Sequence, residues 1–129
     1  MYIRFVTPYH DVQSRTCAGI FRAYWQHWRD RAVAPDDWRV IELGRVVNWF
    51  NSHLDLPRRV GIRQGRKGAI NGVCWFRPQA RHCINNARYM AWLLTDLGTP
   101  VEEWRSEDPG TMLWQDAQQI VAIPPKIVN

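Results

Sequence analysis

Only three cysteines occur among the 129 residues, Cys17, Cys74 and Cys83, and no C-x-x-C is formed. Such an odd and sparse set excludes a secreted disulfide framework and a two-knuckle zinc site, so reduced thiols are expected. Lysine is nearly missing as well. Fifteen of the seventeen cations are arginine, leaving Lys67 and Lys126. No run of eighteen apolar residues exists, and Met1 to Thr7 is too short and too mixed for the apolar core of a signal peptide. A membrane-spanning helix is therefore excluded, and a cytoplasmic protein is expected. Aspartate and glutamate are absent from Leu56 to Thr95, where Arg58, Arg59, Arg63, Arg66, Lys67, Arg77, Arg81 and Arg88 give a net charge of +8.

What is present is an ordinary globular balance, with 46% hydrophobic and 22% charged residues, which excludes disorder and low complexity. Neither a linker nor an internal repeat is visible, so residues 1–129 are expected to fold as one domain. Eight tryptophans accompany the arginines. A G+C-rich coding sequence would raise both totals but would not empty the middle third of acids. Residues 1–55 are almost balanced, and residues 96–129 carry an excess of four acids. Two outcomes follow. Either the fold gathers the basic stretch on one face, attracting phosphates or acidic protein surfaces, or the acidic last third folds back and neutralises it.

Tyr2 to Thr7 alternates β-branched and aromatic residues before Pro8 and reads as a strand. Ser14 or Thr16 caps a helix reaching about Arg31, with Cys17, Ile20, Phe21, Tyr24, Trp25 and Trp28 as its apolar stripe. Pro35-Asp36-Asp37 starts a second helix that ends near Leu54. Val40, Leu43, Val47, Phe50 and Leu54 occupy one side of it. Trp38, Ile41 and Trp49 occupy the other, which predicts a helix sandwiched between the first helix and the sheet, or one offering Trp38 and Trp49 to a partner. Leu56 to Gly68 reads as a loop and Ala69 to Phe76 as a strand, with Cys74 facing the core. Pro78 opens a third helix ending at Leu97, stopped by Gly98, with Ala80, Cys83, Ile84, Ala87, Ala91 and Leu94 inward. Three short strands, Val101 to Arg105, Thr111 to Trp114 and Gln119 to Ile123, complete the chain, with turns at Pro109-Gly110 and Asp116-Ala117. The expected fold is α+β, one mostly antiparallel sheet against about three helices in the order β-α-α-β-α-β-β-β, with the unit from Ala69 to Arg105 a parallel crossover.

The third helix lines up Arg81, Asn85, Arg88 and Trp92, a pattern suited to phosphate pairing with base stacking and equally to a solvated basic face. Gly61, Gly65 and Gly68 with Arg63, Arg66 and Lys67 lack the Lys-Ser/Thr and the following helix of a phosphate loop, though an anion-grabbing loop stays open. His82 and Cys83 point about 100° apart on a helix and cannot chelate one ion, so no metal is expected. No spacing places His10, His27 or His53 beside Cys74 or Cys83 as a base, and no cofactor motif is found. His10, Asp11, Ser14 and Thr16 cluster after the first strand, where turn and cap roles compete with a ligand role.

The segment Asp108-Pro109-Gly110-Thr111-Met112-Leu113-Trp114-Gln115-Asp116-Ala117-Gln118-Gln119-Ile120-Val121-Ala122-Ile123-Pro124 resembles the end of a group of small bacterial proteins without an assigned activity. Gly19-Ile20-Phe21, Trp49-Phe50 and Cys74-Trp75-Phe76 extend the likeness, and Gln115 stands where that group tends to have Glu. More distantly, the chain resembles compact ADP-ribosyltransferase-like folds, which begin with a strand bearing a polar residue, here Arg4, and end in paired strands. Their Arg or His, Ser or Tyr, and Glu signature is met only in part.

The leading expectation is a non-enzymatic interaction domain whose basic middle, from Arg58 to Arg88 with Trp92, meets nucleic acid or an acidic protein. The ADP-ribosyltransferase resemblance implies the alternative of a nucleotide-using transferase, with Arg4, His10, Asp11 and Asp116 around a cleft. A further alternative is a homodimer built on Trp38 and Trp49.

Overall fold

Antiparallel pairing makes every strand contact in the computed structural model, which describes residues 1–11, 16–30, 36–54 and 73–125. The elements in chain order are β1 (Tyr2–Asp11), β2 (Thr16–Gly19), α1 (Ile20–Asp30), α2 (Trp38–His53), β3 (Val73–Phe76), α3 (Arg81–Asp96), β4 (Glu102–Ser106), β5 (Thr111–Gln115) and β6 (Gln119–Ile123). This is the expected α+β architecture, with one added short strand. β2 takes the residues expected to begin the first helix, because Thr16 and Cys17 pair with Asp11 and His10, so α1 starts only at Ile20. β1 likewise runs through Pro8, which falls in the register irregularity between Val6 and His10, where a missing N–H breaks no regular ladder bond.

β1 is the centre of the sheet. Val6 pairs with both Gly19 and Glu102, and Ile3 with both Phe76 and Arg105, so β4 lies on one edge of β1 while β2 and β3 share the other. The sheet then runs β4-β1-β3-β6-β5. β3 and β4 are each antiparallel to β1 and hence parallel to one another, so β3-α3-β4 is the expected parallel crossover, with β1 lying between its strands.

Capping fixes the helix ends. Asp37 is the N-cap of α2, its carboxylate accepting from the Arg39 backbone N–H at 2.9 Å. α3 begins at Arg81, three residues beyond Pro78, and its end closes where Thr99 N–H donates to the Leu94 carbonyl at 2.8 Å around Gly98 at φ +106°.

One sheet face packs on the helices. Ile3, Phe5 and Phe76 join Ile20, Ala23, Leu43, Val46, Val47, Phe50, Cys83, Ile84, Ala87, Met90, Leu93 and Leu94 in the main core. Truncating one of these leucines to alanine typically costs about 2–5 kcal/mol. Several expected core positions differ. Cys74 is exposed, whereas Cys83 is buried; Met90 and Leu93 are buried, whereas Ala80 and Ala91 are only partly so. Trp25, Trp38 and Ile41 are exposed, so that side of α2 is not covered, whereas Phe50 on the other side packs against Phe21 of α1 at 5.0 Å and Phe76 of β3 at 6.0 Å between ring centres. Trp49 sits half-buried against the core, stacked on His53 with ring centres 4.4 Å apart.

The other face is turned inward by a length constraint. β4 and β5 are the two outer strands, about 19 Å apart if the five strands lay flat, yet the five Cα steps from Ser106 to Thr111 span at most about 18 Å even when fully extended. The offset of the two strand ends along the sheet lengthens the gap further. The sheet therefore curls, away from the helices, until its edges approach. Val6, Ile120 and Ala122 project into the hollow of the curl, which is why they are at most 1% exposed with the helices on the far side.

Gly110 sits tightly against β6, beside the Thr111–Ile123 position of the β5–β6 ladder. Its φ is +116°, and a Cβ there would stand 1.8 Å from the Ile123 carbonyl oxygen. Gly110→Ala is expected to destabilise the fold by more than about 2 kcal/mol, combining a strained backbone with a backbone clash. Thermal unfolding checks this, and a change within a few tenths of a kcal/mol would contradict the close approach to Ile123.

Candidate functional site

A cleft of about 490 Å³ opens in the hollow between the approaching edges. Its floor is Arg4 on β1 and Val73 and Trp75 on β3; its walls are Trp104 and Ser106 on β4 and the segments carrying Asp108, Pro109, Pro124 and Pro125. Strand alternation puts Arg4 here: Ile3 and Phe5 face the helices, so the residue between them must face the hollow. Arg4 is 6% exposed, and its guanidinium carbon lies over the ring of its cross-strand neighbour Trp104 at 6.0 Å from the centroid. The Trp104 indole donates in turn to Glu102 at 3.1 Å, which fixes the ring.

Trp75 is 8% exposed, and its Nε1–H is buried with no hydrogen-bond partner among the described residues. An orphaned buried donor costs about 1–3 kcal/mol. The rim is rigid. Ser106 Oγ accepts from the Asp108 N–H at 3.1 Å, Asp108 Oδ1 accepts from the Gly110 N–H at 3.2 Å, and Pro109 is buried between them.

The site residues expected from the sequence are distributed differently. Arg58, Arg59, Arg63, Arg66 and Lys67 lie outside the described residues. Arg81, Asn85, Arg88 and Trp92 do form an exposed stripe on α3, but Arg88 is held by Glu103 of β4 at 2.9 Å. Arg77 donates to the Asp116 carbonyl at 2.8 Å and to the Gln115 side chain, and its guanidinium carbon lies 6.0 Å from the centre of the Tyr2 ring. The last third thus folds back on the basic middle at two of the three cations described. Trp92 is 53% exposed, its ring parallel to Tyr89 at 6.3 Å and 6.2 Å from that of Trp38. Of the two tryptophans expected at a dimer interface, Trp38 is 55% exposed while Trp49 serves the core.

His10 and Asp11 lie six and seven residues beyond Arg4 on the same extended strand, on the order of 20 Å away. Asp116 is a turn residue whose Oδ1 accepts from the Gln118 and Gln119 N–H groups, each at 2.8 Å. The buried Cys83 thiol has its pKa raised, first by burial and then by the Asp116 charge, which keeps it protonated.

Trp75, Trp104, Ser106 and the three prolines were not singled out by sequence reasoning. The signal available was Val73 to Phe76, four consecutive apolar residues without alternation, the pattern of a strand covered on both faces.

Arg88 and Arg105 both reach Glu103, and the Arg88 hydrogen bond is the larger cause of holding its carboxyl near 2, against partial burial that raises it. A carboxyl whose folded value lies below its unfolded one stabilises fully above the usual carboxylate range and loses that contribution as pH falls through about 2. The thermal midpoint is therefore expected to drop between pH 5 and pH 2 more steeply in the native chain than in Glu103→Gln. Parallel curves would show that the bridge between α3 and β4 contributes nothing.

Comparison with protein-family models, with curated proteins and with solved structures finds no match in any of the three.

Proposed function

We propose that this chain is a non-enzymatic binding domain for an anionic partner, and that the partner places its anionic group in the hollow of the curled sheet, between Arg4 and Trp75. The observation that carries this reading is a guanidinium more than nine-tenths buried, that of Arg4, lining the same cleft as Trp75, whose indole N–H is buried with no hydrogen-bond partner among the described residues. Arginine offers five donors in a fixed fork, so it can serve an incoming anion beside an existing partner. An anion fits the charge-assisted donor geometry better than a neutral acceptor does, and water exclusion in the hollow strengthens each bond.

Proteins and nucleic acids expose carboxylates and phosphates, so the expected nucleic-acid or acidic-protein partners remain within this reading, with the contact moved from α3 to the cleft. Isothermal titration with inorganic phosphate, 2-naphthoate, a glutamate-rich peptide and a single-stranded oligonucleotide tests it. At least one should bind, weakening about tenfold or more in Arg4→Met and in Trp75→Phe, as loss of a hydrogen bond to a charged group implies. Circular dichroism of both variants separates this loss from misfolding. Binding abolished by Arg81→Gln with Arg88→Gln but untouched by the cleft variants would overturn the assignment, as would no binding by any probe.

A further inference from the structure

The helices carry a second surface, on the far side of the sheet from the cleft. Trp38, Ile41 and Trp92 are each more than half exposed, and the rings of Trp38 and Trp92 meet across α2 and α3 with centres 6.2 Å apart. Tyr89, one turn before Trp92, extends the group with its ring parallel to that of Trp92. Single exposed apolar side chains are ordinary, but adjoining tryptophans on one face form the kind of patch that anchors an interface. We infer that this face is where two copies of the chain meet, α3 packing antiparallel on α3 about a two-fold axis.

Charge is what selects a second copy. α3 turns about 100° per residue, so Arg81, Asn85, Arg88 and Trp92 fall within about 60° of one another and form one outward stripe. The stripe has unlike ends. At its start Arg81 is exposed and makes no ion pair among the described residues. Beyond Trp92, Asp37 and Asp96 share the single guanidinium of Arg39 and exposed Asp36 precedes them, so that end carries more acid than base. A uniformly acidic partner is repelled at the second end, and a uniformly basic one at the first. A copy turned end for end suits both, because antiparallel packing about the middle of α3 brings Arg81 to the partner subunit's Asp96 and Trp92 to the partner subunit's Asn85. Arg88 lies near the axis, where two like charges would oppose the pairing, and it is already neutralised by Glu103.

The size of the face sets the strength. α2 and α3 have 16 residues each, so their outer faces are about 24 Å long and together about 20 Å wide, on the order of 500 Å² per copy. That is below the roughly 800 Å² per partner of a standard interface, so the association is reversible and of micromolar order or weaker.

Sedimentation equilibrium of the full chain from about 1 µM to about 1 mM tests this, and a monomer–dimer equilibrium with Kd between those limits is expected. Trp92→Ser and Arg81→Glu should each weaken it about tenfold or more with unchanged circular dichroism. Adding Asp36→Arg to Arg81→Glu should recover binding severalfold, because both ends of the stripe are then reversed together. Neither Arg4→Met nor Trp75→Phe should alter it, since the cleft lies on the opposite face of the sheet. A chain still monomeric at about 1 mM overturns the inference. So does a dimer indifferent to both single substitutions, which forms through another surface. A dimer that Trp92→Ser weakens but Asp36→Arg does not rescue from Arg81→Glu packs in another orientation and overturns it too. Trp92-dependent binding of the glutamate-rich peptide in place of self-association gives the face to a different partner, with the same consequence.

Discussion

Four residues, Glu107 to Gly110, join the two outermost strands of a five-strand path. A short link across a wide sheet is a constraint that the backbone can meet only by bending the sheet toward the link. Nearly everything distinctive about the molecule follows from that bend. It gives the sheet a hollow side, it buries Ile120 and Ala122 where no helix reaches, and it brings Pro109 and Pro124 over Arg4 and Trp75. At the end of the link Gly110 lies against the Ile123 carbonyl of β6, and the Asp108 carboxylate accepts from its N–H.

The curl also sets the electrostatic character of the site. An exposed arginine over a tryptophan is worth little, since water screens the charge and the side chain is mobile. Enclosed by β3, β4 and the proline segments, the same pair becomes a fixed cation in a poorly solvated hollow. The Trp75 indole adds a buried donor that none of the described residues satisfies. Native proteins keep few such groups, and those that persist tend to mark places where the fold has been shaped for something other than its own stability.

Much of the fold was legible because its signals are local. Asp37 at the start of α2, Gly98 at the end of α3, Pro109-Gly110 and Asp116 at the turns, and the apolar period of α3 each act within a few residues. The errors arose where a distant element outweighed a local preference. Thr16 to Gly19 reads as a helix start until β1 offers it a pairing edge, and Trp38 reads as sandwiched, whereas in the fold it stays exposed beside Trp92 of α3. The cleft was illegible for the same reason. Its residues come from β1, β3, β4 and the strand-linking segments, and only the closure of the sheet makes neighbours of Arg4 and Pro124.

An acid-free stretch of sequence is a basic region along the chain without being one in space, and the register of β4 shows how the difference arises. Phe5 pairs with Glu103, so the side chain of Glu103 faces the helix side of the sheet, where α3 passes with Arg88. Had β4 been shifted by one residue, Trp104 would have turned toward α3 and Glu103 into the hollow beside Arg4. The observed register does two things at once. It removes one cation from the α3 stripe by pairing it with an acid from the last third of the chain, and it turns that acid's side chain away from the buried guanidinium of Arg4. Which way the Glu103 side chain points, and hence which cation of α3 it pairs, is thus a consequence of where β4 pairs.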